Sequence, residues 1–252
     1  MPSPLNAPTA SRPASARIQH VPRRPALIAH RGMPRRYREN TLPGFIAATA
    51  AGADGWELDV HATRDGVVVV HHDPVLPAAA GSLAGRAIAD LDYGDLATVS
   101  LAGTDERIPT LDDVLGAAAP GITVYVEIKA VGIEEMTMEC LRRHPGVETA
   151  IHCFDHRVAR RVNLIDPTCP VGILSDSYLV DTAHAMGTAG ARDYWPHRTM
   201  VDAALVTTVH GAGGRVIVWT VNDVDDARRL AALGVDALCS DVIDELRAAL
   251  AY

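Results

Sequence analysis

Nine short apolar runs rich in β-branched residues recur between residues 26 and 240, and Ala- and Leu-rich stretches with helical spacing separate most of them. The runs span 26–30, 55–60, 67–72, 123–129, 150–154, 171–174, 193–195, 215–220 and 237–240. The clearest helical stretches span 41–51, 111–118, 134–143, 157–164, 179–186, 199–211 and 224–233. Capping residues stand before several of them (Thr41, Thr110, Asp155, Asn222), and Gly52, Gly187 and Gly234 mark ends. Strand–helix alternation on this scale predicts a parallel sheet with helices outside.

One connection fixes the topology further. Only Arg64-Asp65-Gly66 separates Thr63 from Val67. A parallel crossover needs roughly a dozen residues, so run 67–72 returns antiparallel as a hairpin arm. Setting that arm aside leaves the number of strands that closes a (β/α)8 barrel, a TIM barrel with a short β-hairpin and a loop insertion after the second strand. An open doubly wound sheet is the runner-up. No Gly-rich nucleotide fingerprint supports it, because Gly211–Arg215 precedes a strand rather than following one. Residues 75–109 show little patterning apart from a short helical signal at 90–96, as expected of an insertion over the binding face.

The 252 residues suffice for one large domain over 25–252, and 48% hydrophobic content supports a sizeable core. No stretch approaches the roughly 18 apolar residues of a membrane span. Net charge is −8, which argues against nucleic acid as a partner. Cys140, Cys153, Cys169 and Cys239 are widely spaced and read as reduced core thiols. Residues 1–24 are rich in Pro, Ala, Ser and Arg and lack the apolar segment of a secretory signal, so a disordered tail on a cytoplasmic protein is expected.

Polar residues break the strand pattern at a few places. Alternation puts Glu57, Asp59 and His61 on one face of run 55–60 and its extension, with Trp56, Leu58 and Val60 on the other. In a parallel barrel the Trp, Leu and Val face packs on helices, so the carboxylates point inward near the strand's C-terminal end, where barrel active sites lie. Glu127 and Lys129 repeat the pattern in "TVYVEIK". Three carboxylates aimed at one point repel unless a cation meets them. Either a hard divalent ion, Mg²⁺ or Ca²⁺, or a network with Arg31 and Lys129 answers that demand. His30 ends the first strand and His72 the hairpin arm, and paired imidazoles beside carboxylates suit general acid–base work. Asp73 is placed to orient one of them.

The ordered set "HRG", "ENT", "GADGWELDV", "TRDG", "VVHHDP", "IPTLDDVL", "VEIK", "FDH", "GILSD", "VIVWTVND" and "GVDALCSD" closely resembles the glycerophosphodiester phosphodiesterase family from residue 26 to about 245. The resemblance implies a TIM barrel and a metal-dependent phosphoric diester hydrolase that yields glycerol 3-phosphate and an alcohol. It implies His30 and His72 as the acid/base pair, and Glu57, Asp59 and Glu127 as ligands to Mg²⁺ or Ca²⁺. Arg31 and Lys129 would meet the phosphate, Glu39 would sit near metal and substrate, and Trp219 would line the pocket. It also implies that the nucleophile can be the neighbouring glycerol hydroxyl, giving a cyclic phosphate that water then opens.

Three departures from the family pattern matter, and the last, near the entrance, bears on the alcohol specificity. Arg38 stands where the family usually has Pro, within "MPRRYR"; Arg35, Arg36 and Arg38 either attract anions or simply solvate the loop. Cys153 replaces a commoner Ser, and the insertion "VLPAAAGSLAGRA" lacks the usual basic character. Two rival readings are a lysophospholipase D-like hydrolase of a lipid phosphodiester and a non-catalytic phosphodiester-binding barrel. The first would want an apolar rim, yet the chain has two Phe and three Trp. The second would want a lost histidine or carboxylate, and all are present. No stable membrane insertion is expected.

Overall fold

The computed structural model describes residues 24–101 and 106–250. In chain order its strands and α-helices are β1 (Ala26–His30), α1 (Leu42–Ala50), β2 (Gly55–Ala62), β3 (Val68–Val70), α2 (Tyr93–Leu96), α3 (Leu111–Ala117), β4 (Thr123–Ile128), α4 (Glu134–Arg143), β5 (Glu148–Cys153), α5 (His156–Ile165), β6 (Val171–Ser175), α6 (Thr182–Ala189), β7 (Asp193–Pro196), α7 (Ala203–Gly211), β8 (Arg215–Val218), α8 (Val224–Ala232), β9 (Ala237–Ser240) and α9 (Ile243–Ala249). Strand order is β1-β9-β8-β7-β6-β5-β4-β2-β3, and β1 also pairs with β2. All pairings are parallel except β2 with β3, so the other eight strands close into a barrel and β3 hangs from β2 as the arm of a hairpin. The (β/α)8 architecture expected from the sequence is the one observed.

The outer layer follows from the strand pattern. Trp56, Leu58 and Val60 of β2 join Phe45 of α1, Val114 of α3 and Leu246 of α9 in one large apolar cluster between barrel and helices. A second layer fills the barrel itself: Ile28, Tyr125, Ala150, Leu174, Trp195, Ile217, Ala237 and Cys239. At the N-terminal end of the strands, Arg215 grips Asp193 through Nε–Oδ1 (2.8 Å) and Nη2–Oδ2 (2.9 Å), Arg192 adds two more bonds, and Arg215 also reaches the Tyr125 hydroxyl at 3.4 Å. That end is plugged by an ion cluster and an aromatic layer. The opposite end stays open.

Helix ends show where local signals held and where they moved. Thr110 forms a capping box with Asp113, and Asp155 caps α5. Thr41 occupies the N-cap of α1, but its hydroxyl donates to the Arg38 carbonyl instead. Asp223 rather than Asn222 caps α8, which frees Asn222 for another task. Gly187 lies inside α6, and Gly190, at φ 70°, ends that helix. Helix α7 begins at Ala203 under an Asp202 cap, later than expected, and α9 had no counterpart in the sequence reading. The segment after Pro74 builds a satellite core of Leu76, Ile88, Leu91, Leu96, Val99, Leu101 and Ile108 against Val69 of β3. Residues 1–23 of the expected tail lie outside the described residues, and Arg24 is bonded to Asp54 at 2.9 Å. No helix among the described residues is long and apolar enough to cross a membrane.

The turn after β1 is the tightest spot near the open end. Arg31 and Gly32 both have positive φ, 54° and 89°. A Cβ at Gly32 would lie 2.8 Å from the backbone carbon of Gly44 in α1. Gly32→Ala is therefore expected to destabilise the protein by about 1 kcal/mol or more, read as a lower urea midpoint with an unchanged m-value.

Candidate active site

The open end of the barrel holds a pocket of about 220 Å³ lined by His30, Arg31, Glu57, His72, Glu127, Lys129, His152, Phe154, Leu174, Trp195, Trp219, Thr220 and Cys239. Every barrel strand or its C-terminal extension contributes, and the tip after β3 adds His72. Seven residues singled out in the sequence meet here: His30, Arg31, Glu57, His72, Glu127, Lys129 and Trp219. Asp59 lies just behind the lining with no exposure at all. Glu39 stands outside the lining, with its side chain 42% exposed, and reaches Arg31 Nη1 at 3.3 Å.

The acidic groups sit where strand alternation and register put them. Glu57 and Asp59 share the inward face of β2, and the parallel pairing sets Asp59 directly beside Glu127 of β4. Asp59 is ringed by donors: Arg31 Nε at 3.0 Å, Lys129 Nζ at 3.5 Å and Asn40 Nδ2 at 2.9 Å. Burial alone would raise its pKa, but the charges of Arg31 and Lys129 outweigh burial and hold it below the usual carboxylate range. Glu127 responds in the opposite sense. Burial and then the negative charge of Asp59 push its pKa up, despite Lys129 Nζ at 2.8 Å from Oε1. The pocket thus carries more acid than its two cations neutralise. Glu57, Glu127 and His152 each offer one atom within 4.8 Å of the others, a group able to hold a metal ion.

The HRG and ENT segments are locked to this cluster. Arg31 N–H donates to the Glu57 carbonyl at 2.9 Å and to Glu57 Oε2 at 3.2 Å. Asn40 adopts φ 57°, a conformation Asn tolerates better than most residues. Its backbone N–H donates to the Arg31 carbonyl at 3.0 Å while its amide holds Asp59.

Each histidine has a carboxylate behind it. His30 Nδ1 lies 2.7 Å from Asp241 Oδ1. Asp241 is itself fixed: Asn222 Nδ2 donates to its Oδ2 at 2.6 Å, and Asn222 Oδ1 accepts from the Asp241 N–H at 2.9 Å and from the Ser240 hydroxyl at 3.2 Å. His72 Nδ1 lies 2.8 Å from Asp73 Oδ1, in a more exposed setting. His61, on the same strand as the acids, does not line the pocket. Its Nε2 lies 3.0 Å from the His72 carbonyl and steadies that loop. Burial lowers the His61 pKa. For His30, burial would lower the pKa, but the hydrogen bond to Asp241 and the charge of Glu57 more than offset it, so the net shift is upward.

The opposite wall is apolar. Trp219 donates Nε1–H to the Trp195 carbonyl at 2.9 Å and meets Phe154 edge-on, with centroids 5.4 Å apart. Phe154 is 43% exposed and presents its ring to the opening. Asp241, Asn40 and His152 have no role assigned from the sequence, and Asn222 is expected there only as a helix cap. Asp241 ends the quoted "GVDALCSD" run and Asn222 is next to last in "VIVWTVND", both just beyond barrel strands, and that position was the available signal.

A parallel barrel whose strand tips gather two carboxylate-backed imidazoles, two cations and surplus acid has the parts of a phosphoryl-transfer enzyme. The glycerophosphoryl diester phosphodiesterase family matches residues 30–245, and the chain belongs to that family. It is a phosphoric diester hydrolase by class. A glycerophosphodiester phosphodiesterase of Caldanaerobacter subterraneus is 32% identical over 228 residues, covering 85% of this chain and 93% of that one. Another from Bacillus altitudinis is 28% identical over 86% of this chain and 95% of its own. A solved Oleispira antarctica phosphodiesterase in complex with the product sn-glycerol-3-phosphate has a TM-score of 0.83 at 23% identity, covering 90% of this chain and 96% of that one, and shows the shared fold.

The Asp241 contact yields a test. Because the folded His30 pKa is raised, its charged form stabilises the fold fully below the unfolded value near 6.5, and this is lost as pH rises through the folded value. In metal-free Asp241→Asn the main raising contact is gone. NMR titration is expected to show a lower His30 pKa, and the pH dependence of stability above about 6.5 is expected to flatten.

Proposed function

We propose that the chain is a divalent-metal-dependent glycerophosphodiester phosphodiesterase that uses His30 and His72 as its acid–base pair. The observation that carries this reading is the meeting of two imidazoles, each tied through Nδ1 to a carboxylate, with Arg31, Lys129 and the acidic cluster in one small pocket. With Nδ1 engaged, Nε2 is the atom left to exchange protons with substrate, as base when neutral and as acid when charged. One imidazole takes the proton of the attacking hydroxyl; the other delivers a proton to the departing alkoxide.

A phosphodiester carries one negative charge, and its transition state gathers more on the phosphoryl oxygens. Arg31 and Lys129 are positioned to bind those oxygens. Both stay protonated in this setting: burial disfavours their charge, but the surrounding Asp59, Glu57 and Glu127 carboxylates more than restore it. Glu57, Asp59 and Glu127 are the groups that would hold the cation. Their fit rests on two features: Asp59 Oδ1 is buried with no hydrogen-bond partner, and Glu127 sits where its own charge is disfavoured. When bound, a divalent cation supplies Lewis-acid stabilisation of the phosphoryl charge. Oxygen donors of this kind suit Mg²⁺ or Ca²⁺.

The pocket favours a small polar substrate. At about 220 Å³ it is below the roughly 300 Å³ at which drug-sized pockets begin. Phe154 and Trp219 offer flat faces for a glycerol unit. The product held by the Oleispira relative, sn-glycerol-3-phosphate, is the product expected here.

The test is turnover of glycerophosphocholine with and without added Mg²⁺ or Ca²⁺, with coupled detection of glycerol 3-phosphate. Metal-dependent release is expected, with no need for lipid micelles. His30→Ala and His72→Ala are each expected to lower kcat by about 10²–10⁴-fold with an unchanged thermal unfolding profile. Near-full activity in either variant, or an EDTA-insensitive wild type, contradicts the proposal.

A further inference from the structure

His152 lies on β5, opposite Glu127 in the β4–β5 register. It is 1% exposed. Its ring stacks flat on Trp195, with centroids 4.2 Å and planes 6° apart, so its orientation is fixed by packing. Neither ring nitrogen is well satisfied. Nε2 is 3.5 Å from Glu57 Oε1, too long for a good hydrogen bond, and Nδ1 has no hydrogen-bond partner. A buried imidazole in that condition is costly unless another group completes it. A core histidine kept for packing alone would be expected to give at least one nitrogen a close partner.

The position of His152 says what that other group is. One nitrogen of His152 and one oxygen each of Glu57 and Glu127 lie within 4.8 Å of one another, close enough to converge on a single ion. We propose that His152 is a nitrogen ligand to the cation held by the acidic cluster, so that the site prefers a first-row ion such as Mn²⁺, Co²⁺ or Zn²⁺ over Ca²⁺. The inference rests on the cation reading given above and goes beyond it. Carboxylates alone suit Mg²⁺ and Ca²⁺, whereas imidazole is a good donor to first-row transition ions and an uncommon one to calcium. Asp59 keeps Oδ1 without a hydrogen-bond partner, but Arg31 and Asn40 hold its Oδ2 and limit how far the side chain moves toward an ion. A fixed imidazole on the neighbouring strand adds a third protein donor beside Glu57 and Glu127.

The test uses Mn²⁺ as the probe on the full-length protein. Pulsed electron paramagnetic resonance of the Mn²⁺-loaded wild type is expected to show coupling to a histidine ¹⁴N, and His152→Gln to abolish it. Calorimetric titration is expected to show about a 10-fold or greater loss of Mn²⁺ affinity in His152→Gln, with a much smaller change for Ca²⁺. Mn²⁺ bound without nitrogen coupling in the wild type, or coupling that survives in the variant, overturns this inference and leaves the phosphodiesterase reading standing. Failure to bind any divalent ion overturns the cation reading and this inference together. A wild-type spectrum without nitrogen coupling overturns the inference whatever the variant does, and His152→Asn is read in place of His152→Gln where the latter folds poorly.

Discussion

A fully buried aspartate is the constraint around which the site is built. Asp59 has no solvent to stabilise its charge, and an isolated carboxylate in such a place would take up a proton. It stays ionised because three donors from three parts of the chain converge on it: Arg31 from the turn after β1, Asn40 from the loop before α1, and Lys129 from the end of β4. Each donor is thereby held where the pocket needs it. Arg31 and Asn40 both hold positive φ here, and the Arg31 ion pair and Asn40 hydrogen bond to Asp59 sustain that turn.

The same charge divides the labour between the acids. Asp59 and Glu127 face each other across the β2–β4 register, and two carboxylates so close do not ionise with equal ease. The charges of Arg31 and Lys129 lower the Asp59 pKa against its burial, while burial and then the charge of Asp59 raise that of Glu127 even with Lys129 at 2.8 Å. Glu127 is accordingly the group whose charge is least provided for by the protein, and a divalent cation would stabilise it most. The plugged end of the barrel has no such imbalance, because Asp193 is matched by both Arg192 and Arg215. One end of the barrel is electrostatically closed and the other is left incomplete.

Much of this was legible in the sequence, because it depends on short periods. Alternation in "WELDV" and "VYVEIK" placed Glu57, Asp59 and Glu127, and the three-residue gap before Val67 forced the hairpin. What escaped depends on register between distant segments. His152 stands inside an apolar run, and only its alignment with Glu127 distinguishes it from an ordinary core histidine. Asn222 has the right character for a helix cap; its bonds to Asp241 and Ser240 exist only once β8 and β9 lie side by side. Gly187 carried the local signature of a helix stop, but the helix continues to Ala189 and the left-handed residue it needs is Gly190.

The His30–Asp241 contact joins the two ends of the barrel sequence. The partners are 211 residues apart, and what brings them together is the pairing of β1 with β9, the last seam of the closed sheet. Until that seam forms, His30 has no carboxylate, and Asp241 lacks one of the two groups that hold its charge. His72 differs, because its carboxylate is the next residue in the chain and is available as soon as the hairpin tip is made. One imidazole of the pair is therefore oriented locally and the other by completion of the fold. It follows that looseness anywhere along the β1–β9 seam would be felt at His30 before it was felt at His72, although both line the same pocket.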